Sequence, residues 1–160
     1  MNSWRDLDEG LLLELGRVTW RAILLEDLAY PLTDTALGNH ERTDSLGKRI
    51  TQARTVLKTS QTPATDAIRE WLRDALGLLM KRNEILHATP LTKYNLSDDL
   101  TELLSTEDWT GHQPKGGGAY RQEPLTLERL SGLAADFDAL LDRWRDVTVD
   151  WYIERGPPPQ

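Results

Sequence analysis

"PATDAIREWLRDALGLLMKRNEILHATP", residues 63 to 90, decides how this chain is read. Ile68, Leu72, Ala75, Leu79 and Leu86 recur alternately four and three residues apart, and Arg82 stands where the stripe calls for one more apolar residue. That period is the mark of one face of an amphipathic helix. Thr62 is placed to cap its start, and Pro63 suits the first helical position, where a missing N–H costs nothing. Pro90 biases Thr89 away from helical geometry, so the helix is predicted to run from Pro63 to His87. It therefore closes on a cation, an amide and an imidazole (Arg82, Asn83 and His87), one of them on its buried face. An unpaired polar group there costs several kcal/mol, so the end of this helix is either a satisfied network or a site.

The same period extends on either side. Leu11, Leu15, Val18, Ala22, Leu25 and Ala29 predict a first helix from about Trp4 to Tyr30, stopped by Pro31. A polar connection containing Gly38 follows. Leu46, Ile50, Ala53 and Leu57 predict a second helix between Ser45 and Ser60. Leu127, Leu130, Ala134, Phe137, Leu141, Trp144, Thr148 and Trp151 predict a last helix from Thr126 to about Trp151. Residues 91–123 read as an irregular insert holding one short helix capped by Ser97, then a Gly-rich loop without the strand–helix context of a phosphate-binding fingerprint. No internal repeat or long linker divides the chain. The expectation is an all-α fold: one domain over residues 1–155, an up-and-down bundle of about four long helices with the irregular insert before the last, and a disordered tail over residues 156–160.

Composition narrows the function classes. The 160 residues carry a formal charge of −7 and no cysteine. Disulfides, thiolate metal sites and cysteine nucleophiles are excluded, and a reducing cytoplasm fits. The start lacks the basic and apolar pattern of a signal peptide, and no window is apolar enough for a membrane helix, so a soluble cytoplasmic protein is expected. An acidic surface argues against coating duplex DNA, though not against one phosphate held at one site. The three histidines, His40, His87 and His112, include no pair three or four apart, so spacing builds no metal site. No cofactor is implied. Trp144 and Trp151, two turns apart, suit either the core or an apolar interface.

Asn83 and His87 share one helix face, and the long Arg82 side chain can swing to the same end. Arginine offers a planar fork for phosphate, histidine titrates near neutrality, and asparagine can donate to an oxyanion or fix a tautomer. Together they suit metal-free phosphodiester chemistry. The plain alternative is structural. Arg82 pairs with Glu14 or Glu26 of the first helix, and His87 sits favourably at the negative helix end.

"RNEILHA", residues 82 to 88, resembles the signature of the HEPN superfamily: Arg, four to six residues, then His, with a polar residue often following the Arg. The order of helices is similar as well. The resemblance implies a homodimer whose two motifs face one another across a two-fold axis, making a metal-independent endoribonuclease that acts on single-stranded RNA. It implies that His87 serves as base or acid around the 2′-hydroxyl, that Arg82 stabilises phosphate charge, and that Asn83 orients one of them. Lys81, Lys93 and Arg121 are the expected RNA contacts. Toxin, stress or phage-defence biology, with an antitoxin or regulatory protein as partner, belongs to the same expectation. The chain departs from some toxin members, which carry Tyr where Thr89 stands. A non-catalytic dimerisation or partner-binding module is the other reading.

Overall fold

The computed structural model describes residues 9–41, 43–86 and 125–155, and all regular structure among them is helical. Five helices follow in order: α1 (Glu9–Leu37), α2 (Leu46–Leu57), α3 (Pro63–Leu86), α4 (Leu127–Asp142) and α5 (Trp144–Arg155). The chain is an all-α helical bundle, as the periodicity predicts. The expected short helix at Ser97, the Gly-rich loop, the tail, and residues 4 to 8 of the first helix lie outside the described residues.

The apolar stripes read from sequence are the core. Val18, Ala22, Leu25 and Ala29 of α1 meet Ile50, Ala53 and Leu57 of α2, Ile68, Leu72 and Ala75 of α3, and Leu130 and Phe137 of α4, all buried. Leu86 and Leu127, at the outer ends of their stripes, are exposed instead. The cap expected at Thr62 is observed, and the helix starts at Ser45 and Thr126 are capped as well. Ser45 accepts from the Lys48 amide, Thr62 from Thr65 and Thr126 from Arg129. α2 and α3 form an antiparallel hairpin joined by residues 58–62. α3 runs antiparallel to the last two helices, with Trp71 against Leu140 and Thr62 against Glu154.

Two expectations are corrected. Pro31 does not stop the first helix, which continues to Leu37. Pro31 and Asp27 are both exposed, so the Asp27 carbonyl that loses its helical donor faces water. Beyond the proline, Leu32, Thr33, Asp34 and Ala36 are buried, and that packing outweighs the local preference. The helix ends at Gly38 instead, whose φ of 61° is the left-handed conformation that glycine adopts without strain. The Asn39 amide then bonds back to the Asp34 carbonyl at 3.3 Å, in the Schellman pattern. Pro31→Ala restores the missing donor. It is expected to stabilise the protein by about 1–3 kcal/mol, read as a higher urea midpoint.

The second correction is at the C-terminal end. The last helix is two helices, broken at Arg143 and extending to Arg155. The indole of Trp71 donates to the Leu140 carbonyl at 3.0 Å, giving the last turn of α4 a partner from outside the helix. The break turns α5 onto α3, where Trp151 is fully buried and Trp144 packs edge-on against Trp71 at 5.1 Å. Of the two uses open to Trp144 and Trp151, packing against the core is the one observed.

Candidate functional site

Arg82 lies in the last turn and a half of α3, where the sequence places it on the buried stripe. Its side chain is 16% exposed and forms an ion pair through Nη2 with Oε1 of Glu26 on α1. Of the two acidic partners weighed, Glu26 is therefore the one engaged, while Glu14 bonds to Arg17 within α1. Asp27, beside Glu26 on that helix, is exposed. Arg82 Nε is buried without a hydrogen-bond partner among the described residues. The guanidinium thus spends Nη2 on a carboxylate and has its Nε closed off from solvent, so Nη1 is the arm left to meet an anionic oxygen.

Asn83, next along, is exposed, and so is Lys81, which approaches Asp136 at 3.9 Å. Arg82 turns inward to α1 while its two neighbours face outward, so consecutive residues supply an anchored cation and two solvent-facing donors. His87, Lys93 and Arg121 lie outside the described residues. Among the described residues no three histidine or acidic side chains gather as a metal cluster would, and no helix is long and apolar enough to cross a membrane.

No protein-family model, curated protein or solved structure matches the chain.

The tertiary structure adds basic residues that the sequence reading missed. Arg54 of α2 meets Arg69 and Arg73 of α3 around a cavity of about 220 Å³, shared with Asp66 and Glu70. Arg73 also borders a second cleft, about 430 Å³, lined by Lys81, Asp136 and Arg143 among others. The two openings adjoin at Arg73, and the second reaches Lys81. Most of these cations already have acidic partners: Arg69 with Asp66, and Arg73 and Arg143 with Asp74. The hydrogen bond from Arg73 to Asp74 raises the guanidinium pKa above its usual value, with the Coulombic attraction of the pair adding to it. A face so balanced would hold a polyanion by local exchange of partners rather than by a strong positive field. Spacing carries little signal for this group, because only the packing of α2 on α3 brings Arg54 beside Arg69 and Arg73.

A separate charged network at the C-terminal end of α1 was also not anticipated. Arg49 of α2 is buried and bonds through Nη2 to Asp34 Oδ1 at 2.7 Å and to the Asn39 carbonyl at 2.6 Å. Its Nη1 reaches the Glu41 carbonyl, and Nε reaches Thr33 Oγ1 at 3.4 Å. His40 Nδ1 lies 3.6 Å from the other Asp34 oxygen. Every arm of the guanidinium is engaged, so this network holds the α1–α2 connection rather than offering a site.

Proposed function

We propose that the chain is a metal-independent endoribonuclease of HEPN type, cleaving single-stranded RNA at a composite site built by two copies. The observation that carries this reading is the anchored Arg82 guanidinium in the last turn and a half of α3, directly ahead of Asn83 and of His87 in sequence. Glu26 orients the guanidinium, whose Nη1 arm binds a phosphate oxygen and stabilises the charge that builds on it. His87 takes the proton of the 2′-hydroxyl as that oxygen attacks phosphorus, and its counterpart in the second copy protonates the leaving 5′-oxygen. Asn83 holds an imidazole or an oxyanion by hydrogen bonding. The requirement for a 2′-hydroxyl confines the chemistry to RNA. Lys81, Lys93 and Arg121 guide the strand, with Arg73 and Arg143 extending the path along α3. The protein works in the cytoplasm in toxin, stress or phage-defence biology, where an antitoxin or regulatory protein restrains it.

The test is cleavage of a fluorescent single-stranded RNA by purified protein with excess chelator. Cleavage should persist, and His87→Ala should lower its rate at least about a hundredfold. No cleavage by dimeric, folded protein, or cleavage indifferent to His87→Ala and Arg82→Ala, would overturn the reading.

The Arg82–Glu26 pair favours a second reading, a non-catalytic module in which the motif ties α3 to α1. Removing one partner of a partly buried pair costs about 1–2 kcal/mol, between the surface and buried cases. Glu26→Gln separates the two readings. It leaves Arg82 charged, so an RNA-cleaving site keeps measurable activity, whereas a pure tie loses stability and has no activity to lose.

A further inference from the structure

We infer that the cavity between α2 and α3 binds a terminal phosphate group, held by Arg54, Arg69 and Arg73. Each of these arginines directly follows a buried core residue: Ala53, Ile68 and Leu72. They therefore stand at the rim of the seam where the two helices pack, and the hairpin brings them around one cavity of about 220 Å³. Arg54 is the exception to the charge balance of this face. It is half-buried, its Nε is closed off from solvent without a hydrogen-bond partner, and it makes no ion pair among the described residues. A guanidinium partly withdrawn from water and left without a counter-charge is unfavourable, and a bound anion would offset that cost. Its neighbours keep donors too. Arg69 gives Nη1 to Asp66 at 2.8 Å and keeps Nη2. Arg73 gives Nε and Nη2 to Asp74, which does not line the cavity, and keeps Nη1.

Size and charge choose the ligand. The cavity is smaller than the roughly 300–1,000 Å³ of sites that enclose drug-sized molecules, so it takes one phosphate group and leaves outside whatever that group is attached to. A terminal phosphate carries about −1.5 to −2 charges near neutral pH and three unesterified oxygens, one for each guanidinium. A phosphate within a nucleic-acid strand carries one charge, offers two such oxygens and must leave the cavity by two ends. Asp66 and Glu70 complete the lining, and both are exposed, so each can turn to water as an anion enters. The Asp66–Arg69 pair is of the surface kind that holds its partners weakly. Arg69 precedes Arg82 by thirteen residues, about 20 Å along α3. The site is therefore separate from the proposed catalytic motif, and the inference does not rest on it.

Isothermal titration calorimetry on the full chain tests it with inorganic phosphate, phenyl phosphate and dimethyl phosphate. The first two should bind at one site per chain, and dimethyl phosphate at least about tenfold more weakly. Binding of inorganic phosphate alone would confine the ligand to the free ion, whereas binding of both admits the phosphate end of a larger molecule. Arg54→Gln should weaken phosphate binding at least about tenfold, because it removes charge-assisted donors. Glu70→Gln, at an exposed position that leaves the fold intact, should tighten it by removing a repelling carboxylate. Arg145→Gln, an exposed arginine of α5 outside the cavity, should change nothing. Circular dichroism melts check that each variant is folded. A folded parent chain that takes up no phosphate would overturn the inference. So would binding indifferent to Arg54→Gln, binding lost equally in Arg145→Gln, or dimethyl phosphate held as tightly as the monoester. Phosphate uptake is read without RNA, so failure of the ribonuclease reading shows only in the cleavage assay.

Discussion

Arg49→Ala is expected to destabilise the protein by about 3–5 kcal/mol, enough to unfold an ordinary domain of this size at moderate urea. The residue is 3% exposed and the Asp34 side chain 8%, so truncation strands a carboxylate away from water. The Asn39 and Glu41 carbonyls lose a donor at the same time. Buried polar groups without partners carry the full desolvation penalty, which is why the loss exceeds what the ion pair itself contributes. Arg49→Lys should recover only part, because one ammonium cannot serve Thr33, Asp34, Asn39 and Glu41 from a single point. Asp34→Asn should cost less than Arg49→Ala, since the amide still accepts one hydrogen bond. The measurement is urea unfolding followed by circular dichroism. A loss under about 1 kcal/mol for Arg49→Ala would mean that the network is open to water.

Trp71→Ala should cost a similar amount, about 3–5 kcal/mol. The indole is fully buried, meets Trp144 edge-on, and donates to the Leu140 carbonyl. Its removal empties the contact between α3 and the α4–α5 break. Trp71→Phe separates the contributions: it keeps most of the packing while leaving the Leu140 carbonyl without its indole donor. An intermediate loss of about 1–3 kcal/mol is expected. If the indole bond helps to set the break at Arg143, Trp71→Phe should also change hydrogen exchange at the amides around residues 140–147. Exchange there unchanged from the parent chain would show that packing alone turns α5.

Much of the core was legible because a helix repeats every 3.6 residues, and burial imprints that period on composition. Val18, Ala22, Leu25, Ile50, Ala53, Ile68, Leu72 and Phe137 were all named from spacing, and all are buried. The cap at Thr62 was equally legible (Ser45 and Thr126, read only as helix starts, prove to be caps as well), since a cap is chemistry within four residues. Pro31 misled for the same reason. Its local penalty is real, but the burial of Leu32, Thr33 and Ala36 is a long-range effect that the penalty does not register. At the candidate site, the position of Arg82 on the inner face was readable, while the choice of Glu26 over Glu14 was not. Both carboxylates are within an arginine's reach of some helix arrangement, and only the crossing of α1 with α3 chooses between them.

By itself the sequence determined the helical class, the buried stripes, the cap at Thr62 and the Arg82–Asn83–His87 order, because each depends on neighbours within a turn or two of the chain. Tertiary structure decided the run of α1 through Pro31, the break at Arg143, the Arg49–Asp34 network, the partner of Arg82 and the gathering of Arg54, Arg69 and Arg73 around one cavity. These depend on the angles at which whole helices cross. Such angles emerge from the summed packing of many side chains, and no local spacing encodes them.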